Sequence, residues 1–358
     1  MSAHARLRRS SAIALVSAVT AGSAFLLTAC DPSADGGSAA RPAASATPSR
    51  TAGSAAATPS APAAATATPS AAATTAAATP SAAPAQPSAQ PVAAALNLTK
   101  GTGLTISNGT RYVVMDGKVV DFGTVVRDLA WSPDGKRAAF VDGNGNLETS
   151  DPDGSHRTVV AKAPSGTTWS HPTWQVFGAD EPHGAGAYLL FTADDKKNLR
   201  LMSVEAKAGA GPEALQVGDS EGAQIPETGN QWPYSNGLSG MTVYANKDDG
   251  QVYFHDVVSR TNGGAVAEGS QPALADEGAL VFVRSAKGHS HIFASPADEN
   301  ADQQIDLTPD ATVDYTEPAI SHDGRTVAFR GPDGIYTVPF TGGKPEKVTD
   351  TVGLPAYR

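Results

Sequence analysis

The stretch LAWSPDGKRAAFV, Leu129–Val141, reads as a short β-strand, a tight turn and a second strand, and AISHDGRTVAFR, Ala319–Arg330, repeats it far downstream. In SPDG, Ser132–Gly135, each residue suits a turn. Proline fixes φ, aspartate bonds to the local backbone, and glycine accepts positive φ. Such residues specify a hairpin and carry no chemistry. A hairpin written twice points to a repeated unit that cannot bury its own faces and stacks on copies of itself.

Aligned on the first strand of this hairpin, six segments emerge: LAWS ending at Ser132, PTWQ at Gln175, WPYS at Ser235, PALA at Ala275, PAIS at Ser321 and PAYR at Arg358. Their spacings of 43, 60, 40, 46 and 37 residues suit four-stranded propeller blades, the second carrying an insertion. Second strands follow as RAAFV, AYLLF, MTVYA, ALVFV and TVAFR, with Ala139, Leu190, Val243, Val281 and Ala328 on one sheet face. Both faces of these strands are apolar, as a sheet sandwiched between two others requires. The chain stops at LPAYR, a first strand with no blade after it, whereas Gly103–Gly123 supplies strands with no first-strand motif. Joining the two completes a sixth blade and removes open sheet edges. The expected fold is all-β, a six-bladed β-propeller closed by pairing of the C-terminal strand with N-terminal strands.

The residues before this region cannot build a core. Residues 1–29 hold Arg6, Arg8 and Arg9 followed by an apolar run, the pattern of a signal peptide. LTAC, Leu27–Cys30, resembles the lipobox of bacterial lipoproteins, and Cys30 is the only cysteine in the chain. That resemblance implies cleavage before Cys30 and lipid attachment to it; an uncleaved signal anchor is the alternative. A single cysteine rules out an internal disulfide framework. Residues 30–95 are dominated by Ala, Pro, Ser and Thr, with ATPS recurring at Ala46, Ala57, Ala67 and Ala78. This composition reads as a disordered linker, with a reach between a coil of about 45 Å and a rod of about 200 Å. Residues 96–358 form the third expected unit. Five of the 26 basic and two of the 36 acidic residues lie before it, leaving 21 against 34, a net charge near −13. That acidity disfavours nucleic acid and anionic headgroups as direct partners.

The two best-preserved repeats resemble those of TolB-type propellers, also called PD40 or WD40-like repeats. The resemblance implies a periplasmic protein-interaction role and partners in the cell envelope. Two features depart from that family: the α/β domain of TolB is replaced by the Ala/Pro linker, and the lipobox implies an anchored protein at the extracytoplasmic face of the cell membrane. The Ala-rich composition suggests a high-GC, actinobacterial source, and a monomer is expected. No cofactor is expected.

The chemistry-bearing residues are sparse. GLSGM around Ser239 has Met241 where a nucleophile elbow needs glycine, so it carries no serine mechanism. Asp142, Asn144 and Asn146 have the alternate spacing of a calcium loop, with Asp153 at the twelfth position. Leu147 stands where that loop needs glycine, and the location between two strands favours a plain turn. His289 and His291 share a strand face, an arrangement that could bind a transition metal; with no cysteine or third ligand nearby in sequence they read rather as solvated edge residues. The residues preceding the first strands, Asp128, His171, Gln231, Gln271, Glu317 and Leu354, should converge at one mouth of the central channel. Five of these six are polar. They make a candidate recognition site, with Trp169, Trp174, Trp232 and Tyr234 nearby; the alternative is that strand ends beside a wet channel are simply polar. The functional expectation is a non-catalytic binding module. The competing one is a propeller enzyme or metal-dependent sensor, which would need clustered His, Arg, Asp or Glu on the inner strands.

Overall fold

The structure, a computed structural model, describes residues 96–179, 185–217, 225–237, 240–256, 261–297 and 303–358. The signal peptide, Cys30, the Ala/Pro linker and Ser239 lie outside the described residues. Within them the chain is all β-strand, with no helix.

Three strands come first: β1 (Leu104–Ser107), β2 (Tyr112–Met115) and β3 (Lys118–Asp121). The next sheet is β4 (Arg127–Trp131), β5 (Ala138–Val141), β6 (Leu147–Ser150) and β7 (Thr158–Ala161). It is followed by β8 (Thr168–Phe177), β9 (Gly186–Asp194), β10 (Leu199–Glu205) and β11 (Glu213–Ala214). Then come β12 (Asn230–Ser235), β13 (Met241–Asn246), β14 (Gln251–Asp256) and β15 (Thr261–Glu268). The last two sheets begin with β16 (Ser270–Leu274), β17 (Leu280–Ala286), β18 (His289–Ser295) and β19 (Ile305–Asp306). They end with β20 (Thr316–Ile320), β21 (Thr326–Gly331), β22 (Gly334–Pro339) and β23 (Glu346–Thr349). The final strand, β24 (Leu354–Tyr357), lies beside β1, so the order of the remaining sheet is β24-β1-β2-β3. Leu104 faces Tyr357 and Ser107 faces Leu354, and the Arg358 amide donates to Gly103 O at 2.9 Å. The architecture is a six-bladed β-propeller.

The repeated turns have the same internal bonding. Gly135 N donates to Ser132 O, while Asp134 Oδ1 accepts from Ser132 Oγ and Lys136 N. In the second copy Gly324 N donates to Ser321 O, while Asp323 Oδ1 accepts from Ser321 Oγ and Arg325 N. Both glycines have positive φ, 65° and 69°.

Apolar cores lie between blades. Phe122 and Val113 of the first blade meet Phe140 and Trp131 of the second. Val141 and Leu147 meet Trp169 and Phe191. Leu201 meets Tyr244, Val252 meets Phe282, and Ile292 meets Phe329. Ala328 and Ile335 of the last blade pack on Ile106 and Tyr357 of the first, so the ring has a core at every junction. Each phenylalanine fully buried this way contributes roughly 1.5–3 kcal/mol. Just before β1 the chain runs along β23: Asn97 bridges Thr349 and Leu98 N donates to Val348 O at 2.9 Å.

Candidate functional site at the channel mouth

The innermost strands of five blades share one irregularity. In β4, β8, β12, β16 and β20 one extra residue is inserted against the neighbouring strand, between Arg127 and Ala130, Ser170 and Thr173, Gln231 and Tyr234, Ser270 and Ala273, and Thr316 and Ala319. The first bulged residue has positive φ in each: Asp128 at 54°, His171 at 51°, Trp232 at 59°, Gln271 at 50° and Glu317 at 52°. An inserted residue bends its strand and re-aims its side chain. Four of these five are the residues expected from sequence. In the β12 blade the position belongs to Trp232; Gln231 pairs with Ala245 within the strand. The WPYS alignment is therefore one residue out of step, because YSN of that blade, not PYS, matches AWS. Leu354, the sixth candidate, sits in a strand with an unbroken register and lines the channel.

Two pairs of bulged residues are tied across neighbouring blades. Asp128 Oδ2 accepts from His171 N at 3.1 Å, and Gln271 Oε1 accepts from Glu317 N at 2.7 Å. Trp232 N donates instead to Thr192 Oγ1 at 2.9 Å. Much of the polarity at this mouth therefore joins one blade to the next. What remains for a ligand is the other side of these groups. The His171 ring stacks on Trp232, centroids 3.5 Å apart, and its Nδ1 stands 4.0 Å from Asp128 Oδ2. Burial holds the imidazole below its ordinary value, against the opposing pull of Asp128. Arg330 Nη1 donates to both oxygens of Glu317 at 3.0 and 3.2 Å. Burial nevertheless raises the Glu317 carboxyl, an effect that Arg330 offsets and the Asp128 charge adds to.

Behind this mouth the channel wall is proline and aromatic: Pro172, Pro233 and Pro318 with Trp174, Tyr234 and Tyr357. Burial pushes the Tyr234 hydroxyl up to about 12, so it enters any contact neutral. Trp169 takes no part; it is 3% exposed and packs on Phe191 in an inter-blade core. At the opposite mouth stand Asp116, Asp134, Asp276, His322 and Arg358. There His322 Nδ1 lies 3.0 Å from Asp276 Oδ1.

The other sequence candidates fall elsewhere. Asp142 acts as a turn former, its Oδ1 accepting from Asn144 N and Asn146 N at 2.8 Å each. Asp153 serves a separate turn through Ser155 N. His291 is not a solvated edge residue: it is fully buried, with Nδ1 at 2.9 Å from Asp306 Oδ2. Strand pairing puts it opposite Arg284, inside the junction rather than on the rim. Among the described residues no group of three or more His, Cys, Asp or Glu is gathered as a metal site.

No family model and no curated protein sequence matches the chain. Solved structures do resemble it in fold. TolB from Acinetobacter baumannii superposes with a TM-score of 0.51 at 16% identity, over 71% of this chain and 65% of that one. This chain thus spans just under two thirds of that protein. A chain of the nidogen/laminin complex gives 0.51 at 10% identity, over 71% of this chain and 97% of that one. A TolB-type chain from Agrobacterium tumefaciens gives 0.49 at 18% identity, over 70% and 89%. At these identities the two likenesses at 0.51 speak to the propeller fold alone.

Proposed function

We propose that the protein is an envelope lipoprotein whose propeller binds a protein or peptide without catalysing a reaction. In this reading residues 1–29 are removed as a signal peptide. Cys30 then carries the lipid, residues 30–95 form the tether, and residues 96–358 are the binding module, working as a monomer at the extracytoplasmic face. The lipobox-like LTAC supports the anchor, and the Ala/Pro composition supports the tether.

One observation carries the binding role. The bulged residues of separate blades bring a His171/Trp232 aromatic pair, a carboxylate at Asp128 and a Glu317–Arg330 pair to a single mouth above a proline- and aromatic-lined wall. Aromatic anchors beside a few placed polar groups are the usual make-up of a recognition hot spot. Stacked rings, a carboxylate and an ion pair at one mouth suit contact with a polar or aromatic partner surface.

The test is photo-crosslinking on intact cells from a probe installed at Leu354, beside the mouth. A single captured protein, lost in Trp232→Ala and retained in Asp134→Asn at the opposite mouth, is the expected result. Capture that ignores Trp232→Ala would remove this mouth from the binding role. Labelling with an alkyne fatty acid that persists in Cys30→Ala would remove the anchor.

A further inference from the structure

Beside the turn joining β5 to β6 a buried carboxylate oxygen has no hydrogen bond. Asp142 is 2% exposed; its Oδ2 faces the carboxamides of Asn146 and Asn144 at 3.0 and 3.5 Å. Glu148 enters the same place from β6. Its side chain is 8% exposed, and Oε2 is buried with no hydrogen-bond partner. Glu148 pairs with Phe140 and Asp142 N donates to Asn146 O, so Asp142 and Glu148 are diagonal neighbours on one face of the β5–β6 ladder. Two cations stand near and neither resolves the pair. Arg157 Nε is 3.9 Å from Glu148 Oε2, beyond hydrogen-bonding range, on a side chain 39% exposed. Arg127 Nη2 spends itself on the Asp142 carbonyl at 3.1 Å, not on the carboxylate.

Adjacent buried carboxylates are strongly unfavourable unless they share a proton or a cation. Four oxygen-bearing side chains alternate here, Asp142, Asn144, Asn146 and Glu148. A half-turn of either carboxamide, which is isosteric, places its oxygen where its nitrogen stands. Two carboxylates and two carboxamide oxygens are the hard donor set that calcium takes. We propose that these four residues form a calcium-class divalent cation site at the β5–β6 turn, away from the channel. It is not the twelve-residue loop suggested by spacing, since Asp153 is committed elsewhere; Glu148, arriving from the strand, closes it after seven residues.

The experiment is thermal unfolding and titration calorimetry on the full chain after chelator treatment, with calcium and with magnesium. Calcium is expected to bind in the range of extracellular modules, about 10⁻⁴–10⁻³ M. At a hundredfold excess over that constant it should raise Tm by roughly 5 °C or more, and magnesium by less. Glu148→Gln should abolish the calcium shift. Arg157→Gln, which removes a competing charge from a half-exposed side chain, should tighten calcium severalfold, a gain that loss of folding cannot imitate. The proposal fails if calcium changes neither Tm nor heat; acidification that then stabilises the wild type and not Glu148→Gln would show that a proton does the sharing. It fails equally if the calcium shift survives in Glu148→Gln, which would put the cation elsewhere.

Discussion

At the mouth of the channel Glu317 meets two opposing demands, burial that favours its neutral form and Arg330 that favours its charge; burial is the larger. Its carboxyl is raised above the ordinary 4.5, so the folded protein takes up this proton more readily than the unfolded chain. The resulting stability is present below 4.5 and is lost as pH rises through the raised value. Glu317→Gln should therefore flatten the corresponding fall in Tm as pH rises above 4.5, measured by thermal melts at fixed ionic strength. A second residue-scale prediction concerns Gly154, whose φ is +80° and whose added Cβ would stand 2.5 Å from Phe122 Cα. Gly154→Ala should cost roughly 1–3 kcal/mol in denaturant unfolding, combining left-handed strain with displacement of a core phenylalanine. Residue types at the mouth were readable from sequence because a bulge position still has to be polar or aromatic to face the channel. Gln231 was taken in place of Trp232 because Ser235 imitates Ser132 and Ser321 one residue early, where Asn236 holds the matching position. His291 was misjudged for another reason. Its neighbours Ser290 and His289 look solvated, and only the pairing of β18 with the two-residue β19 shows that Asp306 closes over it.

Strands show which parts of a repeat survive sequence drift. Second strands were aligned correctly in all five blades, since Ala139, Leu190, Val243, Val281 and Ala328 each face the residue two after the bulge. They sit at the centre of each sheet, where both faces must be apolar and a slip would bury polar groups. Outer strands left almost no signal: β11 and β19 are two residues each. Short edges need little pattern, and shortness itself discourages edge-to-edge pairing. β24 is the opposite case, a four-residue strand with a large effect. It pairs along the whole of β1, and Thr105 Oγ1 both donates to Ala356 O and accepts from Trp131 Nε1 of the next blade. Deleting Leu354–Arg358 strips one blade of its inner strand and removes Tyr357 from a core. The truncated chain should lose its cooperative melt and aggregate through the bared β1 edge, seen by circular dichroism and size-exclusion chromatography.

For the molecule as a whole, stability is distributed among junctions between blades, and no central core dominates. Fully buried aromatic residues such as Phe140, Phe191, Phe282 and Phe329 sit one per junction or nearly so. Phe140→Ala should cost about 3–5 kcal/mol and lower the melt of the entire ring, because a gap at one junction loosens both neighbours. A calorimetric trace with a single transition would bear this out, and a separate early transition would contradict it. The adjacency of Gly103 and Arg358 has a consequence for connectivity. The covalent order of the blades is not what the fold depends on. A circular permutant that links Arg358 to Gly103 through a few glycines, with new termini in the exposed Lys162–Gly166 connection, would encode every blade as an uninterrupted segment and should reach the same ring.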